Sequence, residues 1–143
     1  MTKKILVTED LVQEGIDLLR EHGCTVDFLI DPTADELAGA IAPYDGLIVH
    51  PNTVVDAALL AAAENLKIIG RAGVTVDNID IDAASERGII VCNAPNSNVI
   101  SAAEHTMALL LSAARRIPEA SASMHAGQWR RADFMGSELY GKT

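Results

Sequence analysis

The sequence predicts an α/β fold: a doubly wound, five-stranded parallel sheet followed by one long helix. Three observations lead there. Five short apolar runs alternate with segments of helical periodicity. Hydrophobic residues make up 49% of the chain and aromatics 3%, so the core is built of Val, Ile, Leu and Ala, as in a sheet buried on both faces. Residues 99–116 then form an apolar helical stretch longer than any before it.

Lys3 to Thr8 carries Ile5-Leu6-Val7, and from Val12 to His22 the apolar Ile16, Leu18 and Leu19 sit in a helical pattern that Gly23 ends. Glu9 and Asp10 read as a solvated helix entry. Thr25 to Leu29 is a second strand, broken at Asp31-Pro32. Thr33 with Glu36 forms a capping box for a helix from Ala34 to Ile41, closed by Pro43. Gly46 to Val49 is a third strand ending at His50-Pro51-Asn52-Thr53, and Asp56 caps an alanine-rich helix to Ala63. Lys67 to Ile69 is the fourth strand. Gly70 to Asn78 follows as a turn, Asp80 caps a helix from Ile81 to Arg87, Gly88 stops it, and Ile89 to Cys92 is the fifth strand. With right-handed crossovers this spacing gives a flavodoxin-like sheet.

The helix from Val99 to Arg116 is apolar nearly all round between Thr106 and Ala114, which calls for burial on most sides. A sheet covered by its own helices has no place for it, so another domain or a second subunit is expected to cover it. Pro118 opens a further helix that Gly127 ends, and the tail past Trp129 shows neither a stop signal nor a folded closure.

Net charge of −9 and a pI near 4.7 argue against a nucleic-acid partner, because backbone binding needs clustered Lys and Arg. Cys24 and Cys92 fit neither a metal spacing nor a disulfide framework and read as two reduced core thiols. No secretory signal is visible, and the stretch from Thr106 to Ala114 falls well short of the roughly 20 residues a bilayer span needs. A soluble, cytoplasmic protein with no membrane partner and no metal is expected.

Ligands of open α/β sheets bind at the carboxyl ends of the strands. Gly70-Arg71-Ala72-Gly73-Val74-Thr75 occupies such an end: its two glycines let the backbone turn and a ligand approach N–H groups, and Arg71 offers a fork for a carboxylate or phosphate. His50 is the only histidine so placed. His22 and His125 read as surface residues, and His105 as interface or hinge packing. Glu9-Asp10 would also suit a signalling receiver domain, which needs an aspartate ending the third strand and a lysine ending the fifth. His50-Pro51 and Cys92-Asn93 stand there instead. A flavodoxin-type nucleotide binder would want more stacking aromatics than this chain has.

Taken together, Gly70-Arg71-Ala72-Gly73, Val76-Asp77-Asn78-Ile79-Asp80, Arg87-Gly88-Ile89, Asn93-Ala94-Pro95 and Ser101-Ala102-Ala103-Glu104-His105 resemble the D-2-hydroxyacid dehydrogenases, nearest to the members acting on 3-phosphoglycerate in serine biosynthesis. Gly136-Ser137-Glu138-Leu139-Tyr140-Gly141-Lys142-Thr143 fits the same pattern, so the likeness spans essentially the whole chain. It implies a substrate-binding domain over residues 1–96. Residues 97–143 would then be a hinge with Asn96, Asn98 and Ser101, a long helix at a homodimer interface from Val99 to Arg116, and the start of a nucleotide-binding domain.

It further implies NAD as the parent enzyme's cofactor and a small 2-hydroxy or 2-oxo acid as ligand. Backbone N–H groups of Arg71, Ala72, Gly73, Val74 and Thr75 would hold the carboxylate, and His50, Asn52 and Thr53 the far end. No G-x-G-x-x-G occurs in the chain, and the family's catalytic arginine, carboxylate and histidine lie further on, so no cofactor or catalytic residue is assigned here and the fragment is expected to be inactive. Two departures fall on the ligand loops. His50-Pro51 replaces the usual Arg-Ser, exchanging a permanently charged fork for an imidazole and an N–H for none. Val74-Thr75 replaces Thr-Gly, and a Thr75 forced to φ > 0 would be strained by about 1 kcal/mol or more. The alternative is a free-standing or redesigned flavodoxin-like module that acts by binding or dimerisation only.

Overall fold

The structure, a computed structural model, describes residues 2–142. The chain separates into two compact units, Met1–Ser97 and Asn98–Thr143. The first contains β1 (Lys3–Val7), α1 (Gln13–Glu21), β2 (Cys24–Phe28), α2 (Ala34–Ala40), β3 (Gly46–Val49), α3 (Ala57–Ala62), β4 (Ile68–Arg71), α4 (Ile81–Glu86) and β5 (Ile90–Asn93). All neighbouring strands pair in parallel in the order β2-β1-β3-β4-β5, the flavodoxin-like arrangement expected from the spacing.

Local signals set the helix starts. Thr33 and Glu36 form the full capping box, and Asp56 and Asp80 accept from Leu59 N at 2.8 Å and Ala83 N at 2.9 Å. Gly23 and Gly88 take φ of 81° and 68° just past helix ends, where a Cβ would be disfavoured. The fourth strand, however, runs two residues further than expected, so Gly70 lies inside β4 rather than in a turn. There a Cβ would meet only Ile48 Cγ1 at an ordinary 3.8 Å.

The chain moves one way from β1 to β2 and the other way from β2 through β5, and right-handed crossovers place the connecting helices accordingly on opposite faces. One face packs Leu6, Leu47, Val49 and Ile69 with Leu37, Ile41, Leu59, Leu60 and Ala84 of the α2–α4 side. The other packs Ile5, Val7 and Val26 with Ile16 of α1. The expectation that the sheet is fully covered by its own helices is thereby corrected: α1 stands alone on its face, and beyond it Ile68 and Ile90 remain 39% and 64% exposed. Cys92, expected in the core, is exposed on edge strand β5 for the same reason, while Cys24 is half-buried. Leu18, counted with the apolar face of α1, points outward.

The second unit holds α5 (Val99–Arg115), α6 (Ile117–His125) and a 3₁₀ turn, Arg131–Phe134. Arg116 joins the two helices in the left-handed conformation, its guanidinium donating to Asp133 O at 2.7 Å and lying 5.7 Å from the Phe134 ring centroid. The tail is tied down, contrary to expectation: Ser137 N donates to Ala114 O at 2.8 Å, and a Cβ on Gly136 would collide with that same backbone. α5 buries none of its residues, and Met107, Leu109, Leu110 and Leu111 are all exposed. Among the described residues no helix is long and apolar enough to cross a membrane.

Two surface carboxyls make a pH prediction. Thr33 N and Oγ1 donate to Glu36 Oε2 at 2.9 and 2.8 Å, and these bonds hold its carboxyl below the ordinary 4.5. Lys3 Nζ and Lys4 N donate to Asp45 at 2.5 and 3.0 Å, holding it below 3.8. Because both folded values are depressed, their stabilisation is present above the ordinary values and is lost as pH falls through the folded ones. Thermal melts should show constant stability from pH 7 to about 5 and a decline below about 4. Added salt should weaken the Asp45 contribution more than that of Glu36.

Candidate functional site

Because every strand runs the same way, the ends of β1, β3, β4 and β5 meet at one edge. This edge is bound together by side chains that local sequence patterns do not mark. Thr8 is fully buried and shares a 2.9 Å hydrogen bond with Thr53 Oγ1. Asn78 Nδ2 donates to His50 O at 3.0 Å and to Thr53 O at 2.7 Å. Val55 N donates to Asn78 O and Asp80 N to Val55 O, both at 2.8 Å. The loop after β3 and the loop after β4 are therefore one hydrogen-bonded body. Thr53 is 9% exposed and turned into it, whereas Asn52 is exposed at the surface.

In the loop after β4, Ala72 N continues the ladder to Val49 O at 2.9 Å and Gly73 N closes on Arg71 O at 2.8 Å. From β5, Ala94 N donates to Gly73 O at 2.9 Å and Asn93 Nδ2 to Val74 O at 2.5 Å. The N–H groups of Val74 and Thr75 have no partner among the described residues, which leaves them as adjacent donors at the strand edge. Gly73 is needed for space, not for a special dihedral: a Cβ there would coincide with Arg71 Nη1. Among the described residues only Asp31 and Arg116 have positive φ outside glycine, so the strain expected at Thr75 does not arise.

Thr75 instead acquires a role. Its hydroxyl accepts from Arg71 Nη2 at 3.4 Å and donates to Asp77 Oδ1. That hydrogen bond, with a smaller contribution from the Arg71 charge, holds the Asp77 carboxyl below its ordinary value. Arg71 Nε is buried without a partner among the described residues.

At the ends of β1 and β3, His50 Nδ1 donates to Glu9 Oε2 at 2.7 Å. The Glu9 side chain is 17% exposed, against 47% for His50. The expectation of a solvated Glu9 is thus corrected: β1 and β3 are sheet neighbours, so their following turns meet. Only that adjacency, not any motif, could have found the pair. Pro51 supplies no donor, as its chemistry requires.

Asn96 belongs to the end of the first unit and Asn98 and Ser101 to the start of the second, with Ser97 N donating to Ala94 O at 3.1 Å and α5 starting after Asn98 without a side-chain cap. The residues do not fit a dinucleotide. Side chains already cap the N-termini of α2, α3 and α4, two of them aspartates that repel pyrophosphate, and Glu9 and Asp10 precede α1. Among the described residues no group of three or more His, Cys, Asp or Glu is placed to hold a metal ion.

The doubly wound parallel sheet has counterparts among known proteins. Residues 5–139 match the D-isomer specific 2-hydroxyacid dehydrogenase catalytic domain, and the chain belongs to that family. It is 51% identical over 140 residues to the D-3-phosphoglycerate dehydrogenase of Archaeoglobus fulgidus, covering 98% of this chain and 27% of that protein. A crystal structure from Thermus thermophilus, 34% identical, superposes with a TM-score of 0.86 over 96% of this chain and 46% of its own. The NAD⁺-bound 3-phosphoglycerate dehydrogenase of Entamoeba histolytica, 28% identical, gives 0.71 over 80% of this chain and 40% of its own. The chain spans about a quarter of the length of the curated relatives it matches.

Proposed function

We propose that this chain is the substrate-binding portion of an NAD-dependent dehydrogenase for a 2-hydroxy or 2-oxo acid of the 3-phosphoglycerate kind, with a place in serine synthesis, and that it does not catalyse by itself. The observation that supports the reading is the pair of N–H groups at Val74 and Thr75 without a partner among the described residues, on the carboxyl edge where open α/β sheets take their ligands. Two adjacent amides accommodate one carboxylate, and Arg71 beside them favours negative charge. Inactivity follows from the chemistry. Hydride transfer needs a held nicotinamide and an acid placed at the carbonyl, whereas the starts of α2, α3 and α4 are already capped by side chains.

Amide NMR with D-glycerate and 3-phosphoglycerate tests the binding half: the largest shifts are expected at Val74 and Thr75, and none there at millimolar acid would overturn it. Oxidation of NADH by this chain with the matching 2-oxo acid would overturn the claim of inactivity. The exposed Met107, Leu109, Leu110 and Leu111 of α5 support the further reading that a second copy pairs along Val99 to Arg116. Light scattering should then show a dimer, and a monomer at high micromolar concentration would remove that reading.

A further inference from the structure

Two side chains at the carboxyl edge are able to offer positive charge to a ligand, and a carboxylate of the same chain already engages each: Glu9 on His50, and Asp77 on Arg71 through the Thr75 hydroxyl. Val49 pairs with Arg71 in the sheet, so His50 lies beside Ala72. At strand spacings that puts His50 within roughly 10 Å of the Val74 amide, the reach of a three-carbon acid extended by a phosphate. A ligand whose carboxylate rests on Val74 and Thr75 thus brings its far end to His50.

There the resident charge is negative. The crevice beside His50 is walled by Val7, Leu11, Ile48 and Val49, and it includes Glu9 and Asp10 but no Lys or Arg. Glu9 Oε1 is buried without a partner among the described residues, so Glu9 is held in the crevice by its single bond to the imidazole.

We infer that Glu9 is a specificity-determining residue of this site: it occupies His50 as an internal anion, so a phosphorylated 2-hydroxy acid must displace it whereas an unphosphorylated one need not. This rests on the reading of the edge as a 2-hydroxy acid site. The phosphate of a phosphorylated acid is repelled by a fixed carboxylate at that end, whereas the neutral hydroxyl an unphosphorylated acid presents there is not, and apolar walls reduce the screening of that repulsion. Discrimination of this kind comes from a built-in repulsive element rather than from an added contact.

The test compares the 143-residue chain with Glu9→Gln, which keeps an acceptor for His50 Nδ1 and removes the charge. Dissociation constants for 3-phosphoglycerate and D-glycerate are read from the Val74 and Thr75 amide shifts, and dispersed spectra verify that each variant is folded. Glu9→Gln should tighten 3-phosphoglycerate about tenfold and leave D-glycerate within about twofold. In the Glu9→Gln, His50→Ala double variant the gain should disappear. Equal changes for both acids, or none, would overturn the role of Glu9 while leaving the site itself standing. If neither acid moves these amides in any variant, the site reading fails as well.

Discussion

Leu47→Ala is expected to lower the free energy of unfolding by about 3–4 kcal/mol, the range for a fully enclosed leucine whose cavity cannot collapse. Leu47 is 1% exposed on β3, the middle strand. Its register partners are Leu6 on β1 and Ile69 on β4, and Ile69 in turn pairs with Val91 on β5. Those residues form an apolar row across the sheet, closed from above by the α2–α4 side. Strands fixed on both sides by hydrogen bonds cannot move inward to fill the gap. Against a total stability of about 5–15 kcal/mol for an ordinary domain, the loss is large. Urea unfolding should show it as a fall in midpoint with little change in slope. Ile90→Ala, on the neighbouring exposed face, serves as the comparison and should cost less than about 1 kcal/mol. Equal losses at the two positions would mean that the packing described for this face is wrong.

Asn78→Ala is expected to cost about 2–3 kcal/mol and to loosen the ligand edge more than the sheet. Its amide group donates to two carbonyls of the loop after β3, those of His50 and Thr53, and its own backbone oxygen accepts from Val55. Truncation leaves the partly buried Thr53 carbonyl without this donor, while the exposed His50 carbonyl keeps Thr53 N at 3.2 Å and can be reached by water. Hydrogen exchange should therefore accelerate at Thr53 and Val55 while Ile69 in β4 keeps its protection. Uniform acceleration across the chain would show that Asn78 acts on the whole fold. Unchanged exchange at Thr53 would show that it does not hold the loop.

What could be read in advance was what short stretches decide by themselves. Thr33 with Glu36, Asp56 and Asp80 announce helix starts because each cap is made within three residues. Gly23 and Gly88 announce helix ends because a left-handed residue follows the last turn. Strand order followed from spacing and handedness. Hidden from the sequence were contacts that only topology creates. Glu9 and His50 are 41 positions apart and meet because β1 lies beside β3. Strain was expected at Thr75 because the family it resembles usually carries a glycine there, yet its hydroxyl joins Arg71 to Asp77 without a positive φ. Coverage of the sheet was misjudged because counting helices does not say which face receives them.

The face left bare over β4 and β5 bears on how the first unit behaves in solution. Edge strand β5 presents unpaired backbone groups next to the exposed Ile68 and Ile90, the combination that invites another strand to add. Sixteen of the chain's 20 acidic residues but only six of its 11 basic ones precede Asn98, so like copies of this unit repel. Mutual repulsion rather than a sealed surface therefore opposes association of this edge between copies. Salt that screens the repulsion, or acid that neutralises the carboxylates, brings the sticky edge within reach of its own kind.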